Sequence, residues 1–286
     1  MAEHPTGIPI QLEPLVARVL APNPSPYTFS GTQTHLVGTS DLAVIDPGPA
    51  DAAHLDALVR AIDGRRVSAI VITHHHRDHS PAAIALQAAT GAPIVGAAAF
   101  ALADAGPRAD AAFDPTYVPD RVLGEGDVVS GEGWTLEALA TPGHTSNHLA
   151  FALRETRALF SGDHVMGWST TVVSPPDGDM AAYMASLAKL MARDDRVYYP
   201  GHGEAVENPQ RLVRGLLGHR KQREGQILRL LRDTAHDIPA MIARMYVGLD
   251  QRLVPAAERS VLAHLYDLRN RGLVAEEGAQ WHIAAG

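Results

Sequence analysis

Four histidines and one aspartate fall within six residues of the stretch VITHHHRDHS, residues 71–80: His74, His75, His76, Asp78 and His79. Imidazole beside carboxylate is the donor set of a divalent cation, or of a group that trades protons near neutral pH. In an extended segment residues two apart point to one side, so His74 and His76 share a face and His75 takes the other. Asp78 and His79 follow as the chain turns. Two imidazoles, then a carboxylate and another imidazole, can serve two adjacent metal ions from one loop. The chain has no Cys, so the donors are N and O only, and Zn2+ is the natural candidate. Two ions need more donors than this loop supplies. TPGHTSNH offers His144, LFSGDHV offers Asp163 and YYPGHGEA offers His202, each where an apolar run opens into a tight, glycine-containing turn. The plainer reading is a solvated loop of mixed charge, and three partners in matching local settings weigh against it.

The elements that must position these residues can be read around them. Leu42–Asp46 is a short apolar run stopped by Pro47-Gly48. Val67–Thr73 is β-branched and continuous, as in a strand buried on both faces. Ser80 is expected to cap a helix with Pro81 in its first position and Gly91 at its end. The histidine cluster therefore sits where a buried strand stops and a helix begins, the usual place for chemistry on a rigid scaffold. Thr135–Thr141 alternates toward Pro142-Gly143. Leu149–Arg154 and Arg157–Ser161 read as a hairpin around Glu155-Thr156. Asp179 caps a helix to about Arg193, with Tyr183 and Met184 on its buried face, and Val197–Tyr199 is a last strand.

From Pro209 the pattern changes. Arg211–Asp233 reads as one long helix despite three glycines, followed by helices over Ile238–Tyr246 and Ala256–Arg271. Leu273–Ala275 and Gln280–Ile283 form a small hairpin, which together suggests a winged-helix module. Charge changes at the same point: residues 1–208 carry 12 Lys+Arg against 24 Asp+Glu, and residues 209–286 carry 12 against 8. The expected division is a catalytic domain over 1–208 and a winged-helix-like domain over 209–286. The third tail helix has Arg259, Arg269 and Arg271 offset by Glu258 and Asp267, too sparse a basic face for DNA, and Val261, Leu262, Leu265 and Leu268 fit a core stripe. The tail is expected to pack on the metal domain, shaping its cleft or mediating a homo-oligomer.

Composition narrows the class further. The net charge of −8 weighs mildly against a nucleic-acid scaffold. No apolar run is long enough to span a bilayer and the N-terminus does not read as a secretory signal, so a cytoplasmic protein without a membrane partner is expected.

The order Asp46, His74-x-His76-x-Asp78-His79, His144, Asp163, His202 resembles the five motifs of the metallo-β-lactamase superfamily, over most of residues 25–208. GTQTHLVG, YYPGHG and HRKQREGQIL ahead of a winged-helix tail are similar to the branch called β-lactamase-like protein 2, itself similar to glyoxalase II-type thioesterases. The resemblance implies an α/β fold, a four-layer αβ/βα sandwich with a small C-terminal winged-helix domain. It implies two Zn2+ ions, one held by His74, His76 and His144, the other by Asp78, His79 and His202, with Asp163 as the bridge. Asp46 would brace the loop, and Asp78 would also orient a metal-activated hydroxide. Two positions depart from the pattern, His35 for a commoner aromatic and Asn147 for Asp, and both are expected to bear on substrate contacts.

The function so implied is zinc-dependent hydrolysis of a small acyl substrate: a thioester, lactone, ester or β-lactam-like amide. The alternative is a metal-dependent endoribonuclease for single-stranded RNA, with the basic tail as a weak track. A DNA-binding regulator with a vestigial site is disfavoured by the complete ligand set, and a flavo-diiron oxidoreductase by the lack of a flavin domain. His148, His164 and Trp168 stay without an assigned role, though Trp168, Ser169, Thr170 and Thr171 are candidates to line a cleft.

Overall fold

The computed structural model describes residues 5–99 and 113–284, so residues 1–4, 100–112 and 285–286 of the expected domains lie outside the described residues. Strands β1 (Ile10–Glu13), β2 (Val16–Leu20), β3 (Gln33–Val37) and β4 (Asp41–Ile45) lead to α1 (Ala52–Ile62), β5 (Arg66–Ile72), α2 (Ala82–Thr90), β6 (Ile94–Gly96) and β7 (Arg121–Val122). These strands form one sheet in chain order, antiparallel from β1 to β4 and parallel from β4 to β7. Then come β8 (Val128–Gly131), β9 (Trp134–Ala140), β10 (Leu149–Leu153), β11 (Ala158–Gly162), α3 (Met180–Met191) and β12 (Val197–Pro200). They make a second sheet in the order β12-β11-β10-β9-β8, antiparallel except for β11 with β12.

Side-chain alternation sets the layers. On β5, Ala69 and Val71 face the second sheet, while Ile70 and Ile72 face α1 and α2. On β10, Phe151 and Leu153 face inward to meet them, while Ala150 and Ala152 face α3. Both strands are buried on both faces, which explains their continuous apolar sequence. The result is the expected helix–sheet–sheet–helix sandwich. The hairpin forms as read, with Phe151 opposite Phe160.

Two expectations shift. Helix α2 starts at Ala82 after Pro81 and Ser80 does not cap it. Its hydroxyl instead makes a charge-assisted hydrogen bond to the Asp114 carboxylate at 2.8 Å, and no side chain accepts from the N–H groups of the helix's first turn. The helix after Asp179 is capped as read, with the Asp179 side chain accepting from Ala182 N, but it stops at Met191.

The C-terminal part holds α4 (Pro209–Asp233), α5 (Ile238–Met245), a short 3-10 turn over Gln251–Leu253, α6 (Val254–Asn270), and the hairpin β13 (Val274–Glu277) and β14 (Gln280–Ile283). Helix α4 is unbroken at its glycines because both of its ends are packed. Val213 and Leu216 join the outer layer against α3, and Ile227 and Leu231 join the core around Val261, Leu265 and Trp281. No helix among the described residues is long and apolar enough to cross a membrane.

Candidate metal centre

All the chemistry-bearing residues meet at one edge of the sandwich. His74, His76, Asp78 and His79 follow β5, His144 follows β9, Asp163 follows β11 and His202 follows β12. Strands from both sheets thus deliver donors to one place, although the contributing segments are far apart in sequence.

Hydrogen bonds decide which ring nitrogens are free to bind. Asp46 only accepts, so His79 Nδ1 donates to its Oδ2 at 2.9 Å, and Thr73 Oγ1 donates to the same oxygen at 2.7 Å. With its proton so used, Thr73 Oγ1 accepts from His74 Nδ1 at 3.0 Å. His144 Nδ1 donates to Val172 O at 2.7 Å and His202 Nδ1 to Gly31 O at 3.2 Å. Each of these four rings therefore turns Nε2 toward the site, and its neutral form carries there the lone pair that metal ligation needs.

Those lone pairs converge. His76 Nδ1 lies 3.1 Å from His74 Nε2 and 3.2 Å from His144 Nε2, and His79 Nε2 lies 3.3 Å from His202 Nε2. Two nitrogens bound tetrahedrally to one zinc stand about 3.3 Å apart, given Zn–N bonds near 2.05 Å. Asp78 Oδ2 lies 3.2 Å from His202 Nε2 and 3.6 Å from His79 Nε2. Asp163 faces both groups: Oδ1 is 3.4 Å from both His79 and His202 Nε2, and Oδ2 is 3.6 Å from His144 Nε2. Neither Asp78 Oδ1 nor Asp163 Oδ1 accepts a hydrogen bond. The donors fall into three overlapping groups that could each hold an ion: His74, His76, His144; His74, His79, Asp163; and Asp78, His79, His202. The seven residues singled out from the sequence are thus brought together.

Electrostatics agree with a cation-seeking site. Burial and the neighbouring imidazoles hold His74 and His76 well below the usual histidine range. Burial opposes charge on His79 and His202 as well, but the carboxylates of Asp163 and Asp78 outweigh it. They hold His79 well above its ordinary value and push His202 up to about 10. Burial also works against the Asp78 and Asp163 carboxylates, and the same two imidazoles pull both well below the usual range.

The loop's support comes from residues of several kinds. Asp46 sits at φ +49°, a left-handed conformation costly for a non-glycine residue, and its carboxylate ties Thr73 N, Thr73 Oγ1 and His79 together. His148 Nε2 accepts from Asp163 N at 3.1 Å, and its Nδ1 then donates to Thr141 Oγ1 at 2.8 Å. Thr171 Oγ1 donates to Asp163 O at 2.7 Å. A Cβ on Gly201 would stand 2.7 Å from both Asp163 Oδ1 and His79 Cε1, so only glycine lets the chain pass the site. Thr73 carries no sequence signal of its own, and Thr171 and Gly201 read only as a cleft candidate and a turn glycine, because their roles at Asp163 and His79 arise only when separate loops meet.

Other candidates resolve differently. His75 points away from the donors, accepts from Asn147 Nδ2 at 2.8 Å and stacks on Phe113. His35 is buried between Phe160 and Tyr199, and burial pushes it down to about 3. Neither His35 nor Asn147 lines the cavity over the donors: His35 is core, and Asn147 bonds His75 and Ala98 O. His164 packs against Tyr183.

A cavity opens over the donors and is lined by Tyr27, Met166, Trp168, Leu253 and Ala256 among others. Ser169 and Thr170 line it as well, whereas Thr171 braces Asp163 from behind.

Residues 27–202 match the metallo-beta-lactamase superfamily, and residues 238–281 match the beta-lactamase associated winged helix domain. The chain is 35% identical, over 78% of its length and 66% of the other's, to an atrochrysone carboxyl ACP thioesterase of Aspergillus fumigatus. It is 34% identical, over 78% of its length and 73% of the other's, to a beta-lactamase-like protein 2 homolog of Caenorhabditis elegans. It spans about two thirds of the length of the thioesterase. Among solved structures, a beta-lactamase domain protein from Burkholderia ambifaria aligns over 98% of this chain and 94% of that one, with a TM-score of 0.81 and 20% identity.

Proposed function

The chain belongs to the metallo-β-lactamase superfamily, and from that premise we propose that it is a metal-dependent hydrolase of acyl bonds, with a thioester as the foremost substrate. Two divalent cations, zinc by the chemistry of the donors, supply Lewis acidity and a nucleophile at neutral pH when bound. His74, His76 and His144 would hold one and Asp78, His79 and His202 the other, with Asp163, which faces both sets, shared between them. Asp78 lines the cavity, so its carboxylate would accept a hydrogen bond from the attacking water and orient it. In the reaction the water oxygen joins the acyl carbon, the C–S bond breaks, and the sulfur leaves as thiol with a proton from the water. Residues 1–208 carry this chemistry and residues 209–286 complete the cavity.

The observation that carries the reading is the convergence of seven His and Asp donors, five of which, His76, Asp78, His144, Asp163 and His202, line an otherwise largely apolar cavity. Among the described residues that line it there is no Lys or Arg. An RNA backbone, or the carboxylate of a β-lactam, would call for such a cation. A neutral acyl group does not.

The test is thiol release from acyl-N-acetylcysteamine thioesters by the zinc-loaded protein, read with a thiol reagent, against an Asp163→Asn control. The chain contributes no thiol background because it has no Cys. Release by the wild type alone supports the reading. Cleavage of single-stranded RNA without thiol release overturns it.

A further inference from the structure

We infer that the C-terminal module is the acyl-selecting wall of this site, that Leu253 is its specificity-determining residue, and that the group it accepts is a bulky, uncharged acyl chain or ring system. The inference deepens the hydrolase reading and rests on it. Leu253 closes the 3-10 turn ahead of α6 and Ala256 lies in the first turn of that helix. Both face the cavity whose floor is the donor cluster, opposite Tyr27, Met166 and Trp168 from the metal domain. The charged side chains in the described lining are Asp78 and Asp163, and both belong to the donor cluster. Beyond the reacting end, then, the lining is mostly carbon, with the hydroxyls of Tyr27, Ser169 and Thr170 among it.

The rim points the same way. Trp168 is 37% exposed and Phe29 42% exposed, and their rings stack at 5.1 Å with 17° between planes. Trp168 also lines the cavity, so the exposed part of this stacked pair gains most from a bulky apolar guest.

The wall is also held at a fixed distance from the donors. Arg220 of α4, 3% exposed, donates through Nη2 to Thr171 O, and Thr171 Oγ1 donates to Asp163 O. Three residues on, Arg223 donates to Met245 O and lies 4.3 Å over the Tyr246 ring, fixing the segment that leads to Leu253. One helix thus ties the wall to the loop of Asp163, so a change at Leu253 alters the space above the donors directly.

The experiment uses the full chain with Leu253→Ala and Leu253→Trp, and Val59→Ala as an exposed control on the far layer. Unfolding temperature and zinc content establish that each variant is folded and loaded. Acetyl, octanoyl and 2-naphthoyl thioesters are compared by kcat/KM, and binding of the neutral fluorophore N-phenyl-1-naphthylamine is measured separately. Leu253→Ala is expected to lower naphthoyl turnover about tenfold with acetyl turnover unchanged, the size of effect that a few methylenes give in an apolar pocket. Leu253→Trp is expected to abolish naphthoyl turnover and weaken the fluorophore at least tenfold. Equal effects on all three acyl groups, with unchanged fluorophore binding, overturn the inference. If no thioester is cleaved by any form, the hydrolase reading fails alone, and the fluorophore still decides. Its loss in Leu253→Trp sustains the wall, and its retention removes it.

Discussion

His79 and His164 are both fully buried imidazoles on loops that leave the ends of strands, and their surroundings are opposite. His79 donates to Asp46 and turns its other nitrogen toward Asp78, Asp163 and His202. His164 accepts or donates no hydrogen bond through either nitrogen, and burial, helped by His144, pushes it down to about 3. His264 on α6 is in the same position and is likewise pushed down to about 3. A buried histidine is therefore not a mark of a site. What marks one is a ring whose first nitrogen is fixed by a protein acceptor, with a carboxylate in front of the second. The orphaned rings are polar filling in the seam between α3, α4 and α6.

This contrast can be broken at several points. The largest effect is expected from Asp163→Asn, which removes the shared carboxylate and should lower acyl hydrolysis by about a thousandfold, the several kcal/mol ascribed to metal-assisted activation. Steady-state rates at matched zinc occupancy check this, and a loss under tenfold would place the chemistry elsewhere. Gly201→Ala comes next. The added methyl meets Asp163 Oδ1 and His79, so zinc bound per chain should fall from two toward one in metal analysis, while Gly215→Ala, where a Cβ meets open space, leaves it unchanged. Asp46→Asn removes the charge behind His79 and should weaken metal binding by about 10- to 100-fold, read by competition with a chelator.

Protonation sharpens the contrast. In the metal-free protein His79 is held well above its ordinary value and His202 up to about 10. A raised value means that the protonated form stabilises the fold. That contribution is complete below about pH 6.5, the ordinary histidine value, and is lost as pH rises toward 10. The metal-free unfolding temperature should therefore fall across that window, and the zinc-loaded protein should not follow it. At pH 7.5 zinc must expel those protons, so calorimetry in two buffers of different ionisation enthalpy should report at least one proton released per chain. The smallest effect belongs to the other kind of histidine. His264→Leu replaces an unpartnered imidazole with carbon of similar size and should change stability by less than about 1 kcal/mol, with zinc content and turnover intact. A large loss of zinc there would erase the distinction.

The donors were legible in the sequence because each sits at a strand end before a turn, a local pattern, and because the spacing His-x-His-x-Asp-His repeats a known arrangement. The sandwich was legible where strands are continuous, as in β5 and β10. Strands β1 to β3 and the short β6 to β8 were not: β1, β7 and β8 are sheet edges, part-exposed and weakly alternating, the β3 sequence Gln-Thr-His carries little apolar signal, and β6 is only three residues long. Ser80 misled because a local capping rule competes with a distant carboxylate, Asp114, that only the fold brings near. Trp168 was visible as a cleft residue, but Leu253 and Ala256 were not, since a leucine facing a cavity reads like a leucine facing a core.

The donor cluster also has a mechanical meaning. His74, His76, Asp78 and His79 hang from the first sheet, and His144, Asp163 and His202 from the second. Any cation that binds them stitches the two sheets together and closes the chain segments 79–144 and 163–202 into rings. Closing rings of that size removes conformational freedom from the unfolded chain, the same entropic restraint that a covalent cross-link imposes. In a polypeptide without a single cysteine, the reactive centre is thus also its rivet, and stripping the metal should let the two halves of the sandwich part more readily along the edge where substrate enters.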